Sequence, residues 1–118
     1  MSAADAKAMQ RVIQAQLNAF AADDAKLAFS YAAPAIRAQF GTAENFLVMV
    51  RQGYPMVYRP ANVVFFKPTL VDGALVQAVQ FSDLDGDEWV ASYRMQRQRN
   101  KAWRINGCVV VPSAGRAA

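Results

Sequence analysis

At 118 residues, 54% of them hydrophobic and 19% charged, the chain is long enough for one hydrophobic core and too short for two independent domains. No apolar run approaches the roughly 20 residues of a membrane span, and the lack of histidine excludes Ser-His-Asp and Cys-His catalysis, an imidazole base and a histidine-ligated metal. Cys108 is the single cysteine, which excludes an intrachain disulfide and a thiolate metal cluster, and a formal charge of +4 is too modest to point to nucleic acid.

Met1-Ser2-Ala3-Ala4-Asp5 lacks the basic start and apolar stretch of a secretory leader and reads as a helix start; the compartment is cytoplasmic for the chain as it stands, or periplasmic if a leader has been removed. Ser2 and Asp5 form an N-cap with an acidic first turn, and Met9, Val12, Ile13, Gln16, Leu17 and Phe20 recur at helical spacing, predicting a helix to about Ala21. Asp23 or Asp24 caps a second helix through Ala25 to Tyr31, and Pro34 ends it. A short helical turn ending at Gly41 precedes a helix capped by Thr42, with Phe46, Leu47 and Val50 on its apolar face and Gly53 at its end. Tyr54 to Pro60 carries two prolines and is expected to be irregular or an edge segment.

The period then changes to two, with strands expected near Asn62 to Lys67, Leu75 to Ser82, Glu88 to Gln98 and Trp103 to Val111, and a tight turn at Asp72-Gly73. Leu75, Val79 and Phe81 share one face of their strand, as do Trp89, Ala91, Tyr93 and Met95 of theirs, and Trp103, Ile105, Val109 and Val111 of the last. A two-residue loop at Asn100-Lys101 would set Met95 opposite Asn106 and put the last two apolar sets on opposite faces. A three-residue loop from Asn100 to Ala102 sets Arg97 against Ile105, Tyr93 against Val109 and Ala91 against Val111, and is preferred. Gln77 or its even-numbered neighbours, with Ser92, Gln96 and Gln98 among Val76 and Val90, are assigned to the outer face. Arg94, Arg97, Arg99, Lys101 and Arg104 crowd the last hairpin and read as a solvated face that discourages edge pairing, in preference to a nucleic-acid site. One domain is expected over residues 1–111, with a frayed tail at 112–118.

Helices followed by long antiparallel strands give the α+β class, with N-terminal helices packed on a curved antiparallel sheet of four or more strands. Several segments carry a closer likeness: Ile13 to Phe20 with Asp23-Asp24, Ala28 to Pro34, Phe46 to Val50 with Gln52-Gly53-Tyr54-Pro55, Tyr58-Arg59-Pro60, and the closing Trp103-Arg104-Ile105-Asn106-Gly107-Cys108. Over about Val12 to Val111 the chain resembles the bacterial domain-of-unknown-function family 4864, within the nuclear-transport-factor-2-like, cystatin-like superfamily. The resemblance implies a cone-shaped fold whose pocket serves isomerase, dehydratase or cyclase chemistry or binding among relatives, and whose outer sheet face forms homodimers. It assigns no activity.

Isomerase chemistry of that kind needs a carboxylate base in an apolar pocket. Asp5, Asp23, Asp24 and Glu44 fall at helix starts, and Asp72, Asp83, Asp85, Asp87 and Glu88 at or beside turns, so no catalytic residue is assigned; Asp23 or Asp24 is the one route to a lyase or isomerase acting on a carbonyl-bearing metabolite. Asp83-Leu84-Asp85-Gly86-Asp87-Glu88 places its glycine fourth, where a calcium-binding loop needs it sixth, and reads as a hairpin turn; no metal and no cofactor are expected. Tyr54, Tyr58 and Arg59 offer hydroxyls and a guanidinium to a small apolar or anionic ligand, with Tyr93 as a further polar contact and Trp89 and Phe46 as walls. The plainer alternative is that these rings fill the core. Cys108 reads as a small buried residue, with no histidine to activate it.

Overall fold

A computed structural model describes residues 2–113. Helix α1 (Ala3–Ala21) opens with the expected cap: the Ser2 hydroxyl accepts from the Asp5 N–H at 3.0 Å while the Asp5 carboxylate accepts from the Ser2 N–H. Its apolar stripe buries Met9, Ile13, Leu17 and Phe20. Helix α2 (Ala25–Ser30) is capped by Asp24, whose carboxylate accepts from the Leu27 N–H at 3.1 Å. This leaves Asp23, at φ 55, free for another task. Pro34 opens helix α3 (Pro34–Phe40), and the Thr42 hydroxyl caps helix α4 (Ala43–Gly53). The expected irregular segment after Gly53 is instead a single helical turn, α5 (Pro55–Tyr58), because proline suits the first turn of a helix, where its missing N–H costs nothing.

Five antiparallel strands follow: β1 (Asn62–Phe65), β2 (Thr69–Val71), β3 (Ala74–Ser82), β4 (Glu88–Arg97) and β5 (Trp103–Pro112). They form an open sheet in the order β1-β3-β4-β5, with β1 pairing one half of β3 and β2 pairing the other. Strand β2 is an addition to the expected set. The Asp72-Gly73 turn has φ of 49 and 79, the left-handed pair of a two-residue hairpin, so the chain before it pairs with the chain after it. Gln77 is the residue that least fits its expected place. It is fully buried on the same face as Val79 and Phe81, where its amide nitrogen donates to the carbonyls of Phe66 and Ala78 and its oxygen accepts from Gln10 of α1 at 3.3 Å. A neutral amide is tolerated there because each end has a partner, and it supports the carbonyl exposed where β1 gives way to β2.

Strand β5 departs from the preferred register: beyond a bulge it takes the alternative one, that of the two-residue loop, and next to the loop it fits neither. Arg97 faces Trp103 and Met95 faces Ile105, but beyond a bulge Arg94 faces Gly107, Tyr93 faces Cys108 and Ala91 faces Val110. Asn106 is the extra residue, and one extra residue reverses which side chains meet the core. Trp103 and Ile105 are therefore buried while Val109 and Val111, expected inside, are 62% and 49% exposed. The strand continues through Pro112, and the Ser113 N–H donates to the Glu88 carbonyl, so the first residues assigned to the tail belong to the sheet or its border. Residues 114–118 of that expected tail lie outside the described residues.

The core lies between the helices and one face of the sheet, centred on Met9, Ile13, Phe20, Val79, Phe81 and Tyr93. The loop between α2 and α3 is stitched to the free side of β5, with the Ala33 N–H donating to the Ile105 carbonyl and the Ile105 N–H to the Tyr31 carbonyl, both at 2.8 Å. That seam sets α3 beside β5.

Candidate functional site

Between α1, α3 and α4 on one side and β4 and β5 on the other lies a cavity of about 610 Å³. Its walls are mainly apolar, and that size is within the usual range for small-molecule sites. Phe46 of α4 is the fixed point of the helical wall: its ring lies 5.9 Å from Phe20, 5.5 Å from Phe29 and 5.5 Å from Phe40, all tilted or edge-on. Tyr54, where α4 turns into α5, also lines the cavity and is half-buried.

On the sheet side Tyr93 and Cys108 stand opposite each other across β4 and β5 and both line the cavity. Tyr93 is 1% exposed, and among the described residues its hydroxyl has no partner stronger than the Cys108 thiol, a weak hydrogen-bonding group. Burial, reinforced by the neighbouring thiol, holds its ionisation well above the ordinary phenol value. Burial likewise pushes the Cys108 thiol up to about 12, so it is a neutral wall group and no nucleophile at physiological pH. Among the described residues Arg94 is the one charged side chain in the lining, and no carboxylate joins it.

Of the six expected ligand contacts, Tyr54, Tyr93 and Phe46 converge on this cavity, whereas Tyr58, Arg59 and Trp89 lie elsewhere. Tyr58 and Arg59 form a latch with Asp23. The Tyr58 hydroxyl donates to one carboxylate oxygen, Arg59 pairs with the other at 3.2 Å, and its guanidinium sits 4.2 Å above the Tyr58 ring. Arg59 also donates to the Phe20 carbonyl at 2.7 Å, satisfying the C-terminal end of α1. The Tyr58 hydroxyl, partly offset by desolvation and aided by Arg59, holds the Asp23 carboxyl below its ordinary value. Trp89 donates its indole N–H to Asp83 at 3.0 Å, and the other Asp83 oxygen accepts from the N–H groups of Asp85 and Asp87. The Asp83 carboxyl is accordingly also held low, first by Trp89 and then, against desolvation, by those amides. Asp83 thus organises a hairpin turn.

Cys108 was expected to be a small buried residue without a role and Arg94 part of the solvated face of the last hairpin, so neither was among the expected contacts. Gly107, a glycine inside a strand, is the signal that points to a bulge and to the reversed parity. Asp23 and Asp24 do not line the cavity, so the carboxylate that isomerase chemistry would require is engaged in the latch and the α2 cap.

A family model described as a domain of unknown function (DUF4864) matches residues 2–118. No curated protein and no solved structure matches the chain.

Proposed function

The chain belongs to the DUF4864 family of domains of unknown function, and from that premise we propose that it is a non-catalytic domain that binds a small, largely apolar molecule in the cavity between helices and sheet. One observation carries this reading: in the wall of an apolar cavity a fully buried tyrosine hydroxyl, that of Tyr93, has no partner among the described residues stronger than the Cys108 thiol. Buried polar groups are nearly always hydrogen-bonded, so an acceptor on a ligand is the partner this hydroxyl suits. Helices covering one face of an open sheet, with the cavity between, also support a nuclear-transport-factor-2-like cone built as a single domain.

The test is native mass spectrometry of gently purified protein, paired with titration of the neutral fluorescent probe N-phenyl-1-naphthylamine. A discrete retained mass, or saturable probe binding at one site per chain, is expected. A bare species with no saturable probe binding would sink the reading. The lyase or isomerase alternative is less favoured, because Asp23 and Asp24 are committed outside the cavity.

A second reading rests on the other face of the sheet. Val64, Gln80, Val90 and Val111 align across four strands, with Val109 beside them, and Val64 and Val111 are 46% and 49% exposed. A two-fold contact sets this row against its own copy, and an uncharged row meets no like charge there. The domain then pairs with itself through this face.

A further inference from the structure

We infer that the ligand is an organic anion, an apolar body carrying one carboxylate-like group, and that Arg94 is the residue that recognises the charge. This rests on the cavity-binding reading above and adds the chemical class of the occupant.

Arg94 belongs to β4 and would ordinarily stand clear of the cavity, because its neighbours Tyr93 and Met95 are the residues that face the core. Its partner across the ladder is Gly107, next to the bulge. A Cβ placed on Gly107 would lie 3.8 Å from the Arg94 Cδ, so the arginine stem is laid across the glycine backbone. Arg94 and Gly107 both border the cavity, together with Val109 on the exposed side of β5. The same extra residue, Asn106, that turns Cys108 inward therefore also sets a glycine beneath the arginine.

The charge on Arg94 is uncommitted. Among the described residues it has no ion pair, whereas Arg59 is held by Asp23 and Arg97 lies 3.8 Å from Asp5. No acid among the described residues lines the cavity to neutralise it. A guanidinium presents a planar fork that matches a carboxylate with two parallel hydrogen bonds, and beside an apolar wall that pairing is screened less than in open water. A cavity with apolar walls, a buried hydroxyl donor at Tyr93 and a single cation at the border thus favours an amphiphilic acid over a neutral molecule, and disfavours a cation.

The experiment compares 2-naphthoate with its neutral counterpart 2-naphthamide by calorimetric titration, on the wild-type protein and on Arg94→Gln. Arg94 is exposed, so its replacement leaves the fold intact, as circular dichroism will verify. The expected result is tighter binding of the acid than of the amide. Arg94→Gln should weaken the acid about tenfold to a hundredfold, as for a charge-assisted hydrogen bond, and change the amide less than twofold. Equal binding of acid and amide, with neither altered by Arg94→Gln, overturns the anion inference and leaves the cavity reading standing. Failure of both compounds and of N-phenyl-1-naphthylamine to bind wild type overturns both.

Discussion

Tyr93 places a phenol hydroxyl in an apolar wall with only the weakly accepting Cys108 thiol beside it. An unsatisfied buried hydroxyl costs about 1–3 kcal/mol, so Tyr93→Phe is expected to stabilise the ligand-free protein by about 1 kcal/mol, which calorimetry would read as a rise of roughly 4–8 °C in Tm. The same variant should bind an acceptor-bearing ligand about fivefold more weakly. A lower melting temperature would show that the hydroxyl already has a partner. Asp23 gives a prediction in pH. Its carboxyl titrates below the ordinary value, chiefly through the Tyr58 hydroxyl, so the unfolded chain takes up this proton first as pH falls. The latch therefore contributes stability that is fully present above the unfolded value, near 3.9, and is lost as pH falls through the lower folded value. Asp23→Asn tolerates the same left-handed backbone and should flatten the acid limb of urea midpoints measured from pH 7 to 2.5. An unchanged limb would mean that the latch does not contribute.

The elements divide into those set by local chemistry and those set by pairing. The caps at Ser2, Asp24 and Thr42 were legible because a side-chain oxygen two or three residues ahead of orphan N–H groups is a local arrangement. The last strand was legible in extent but not in facing, because alternation holds only while the ladder is regular. Deleting Asn106 tests the bulge. Without the extra residue, either Trp103 and Ile105 or Cys108 and Val110 must leave the core face, and urea titration should show a loss of about 2–4 kcal/mol. A deletion variant as stable as wild type would show that the bulge has no role in facing. Tyr58 and Arg59 lie outside the cavity for a similar reason: they follow Tyr54 closely in the chain, but the one-turn helix α5 turns them toward Asp23.

At the scale of the molecule, the sheet buries one face under helices and leaves the row of Val64, Val90 and Val111 uncovered. Sedimentation equilibrium is expected to show a dimer whose population falls on dilution, and Val109→Glu with Val111→Glu should give a monomer with unchanged circular dichroism, since both side chains are exposed. A wild-type monomer at all concentrations tested would remove self-pairing.

The α+β order, the starts of α1, α2 and α4 and the buried parity of β3 and β4 were determined by the sequence alone, since each follows from residues within a few positions of one another. The tertiary structure alone decided which way β5 faces on either side of the bulge, the burial of Gln77 and the arrival of Arg94 beside the cavity that Phe46, Tyr54 and Tyr93 line. Those outcomes depend on which strand meets which and on where helices lie across the sheet, and such long-range contacts leave no periodic mark in the chain.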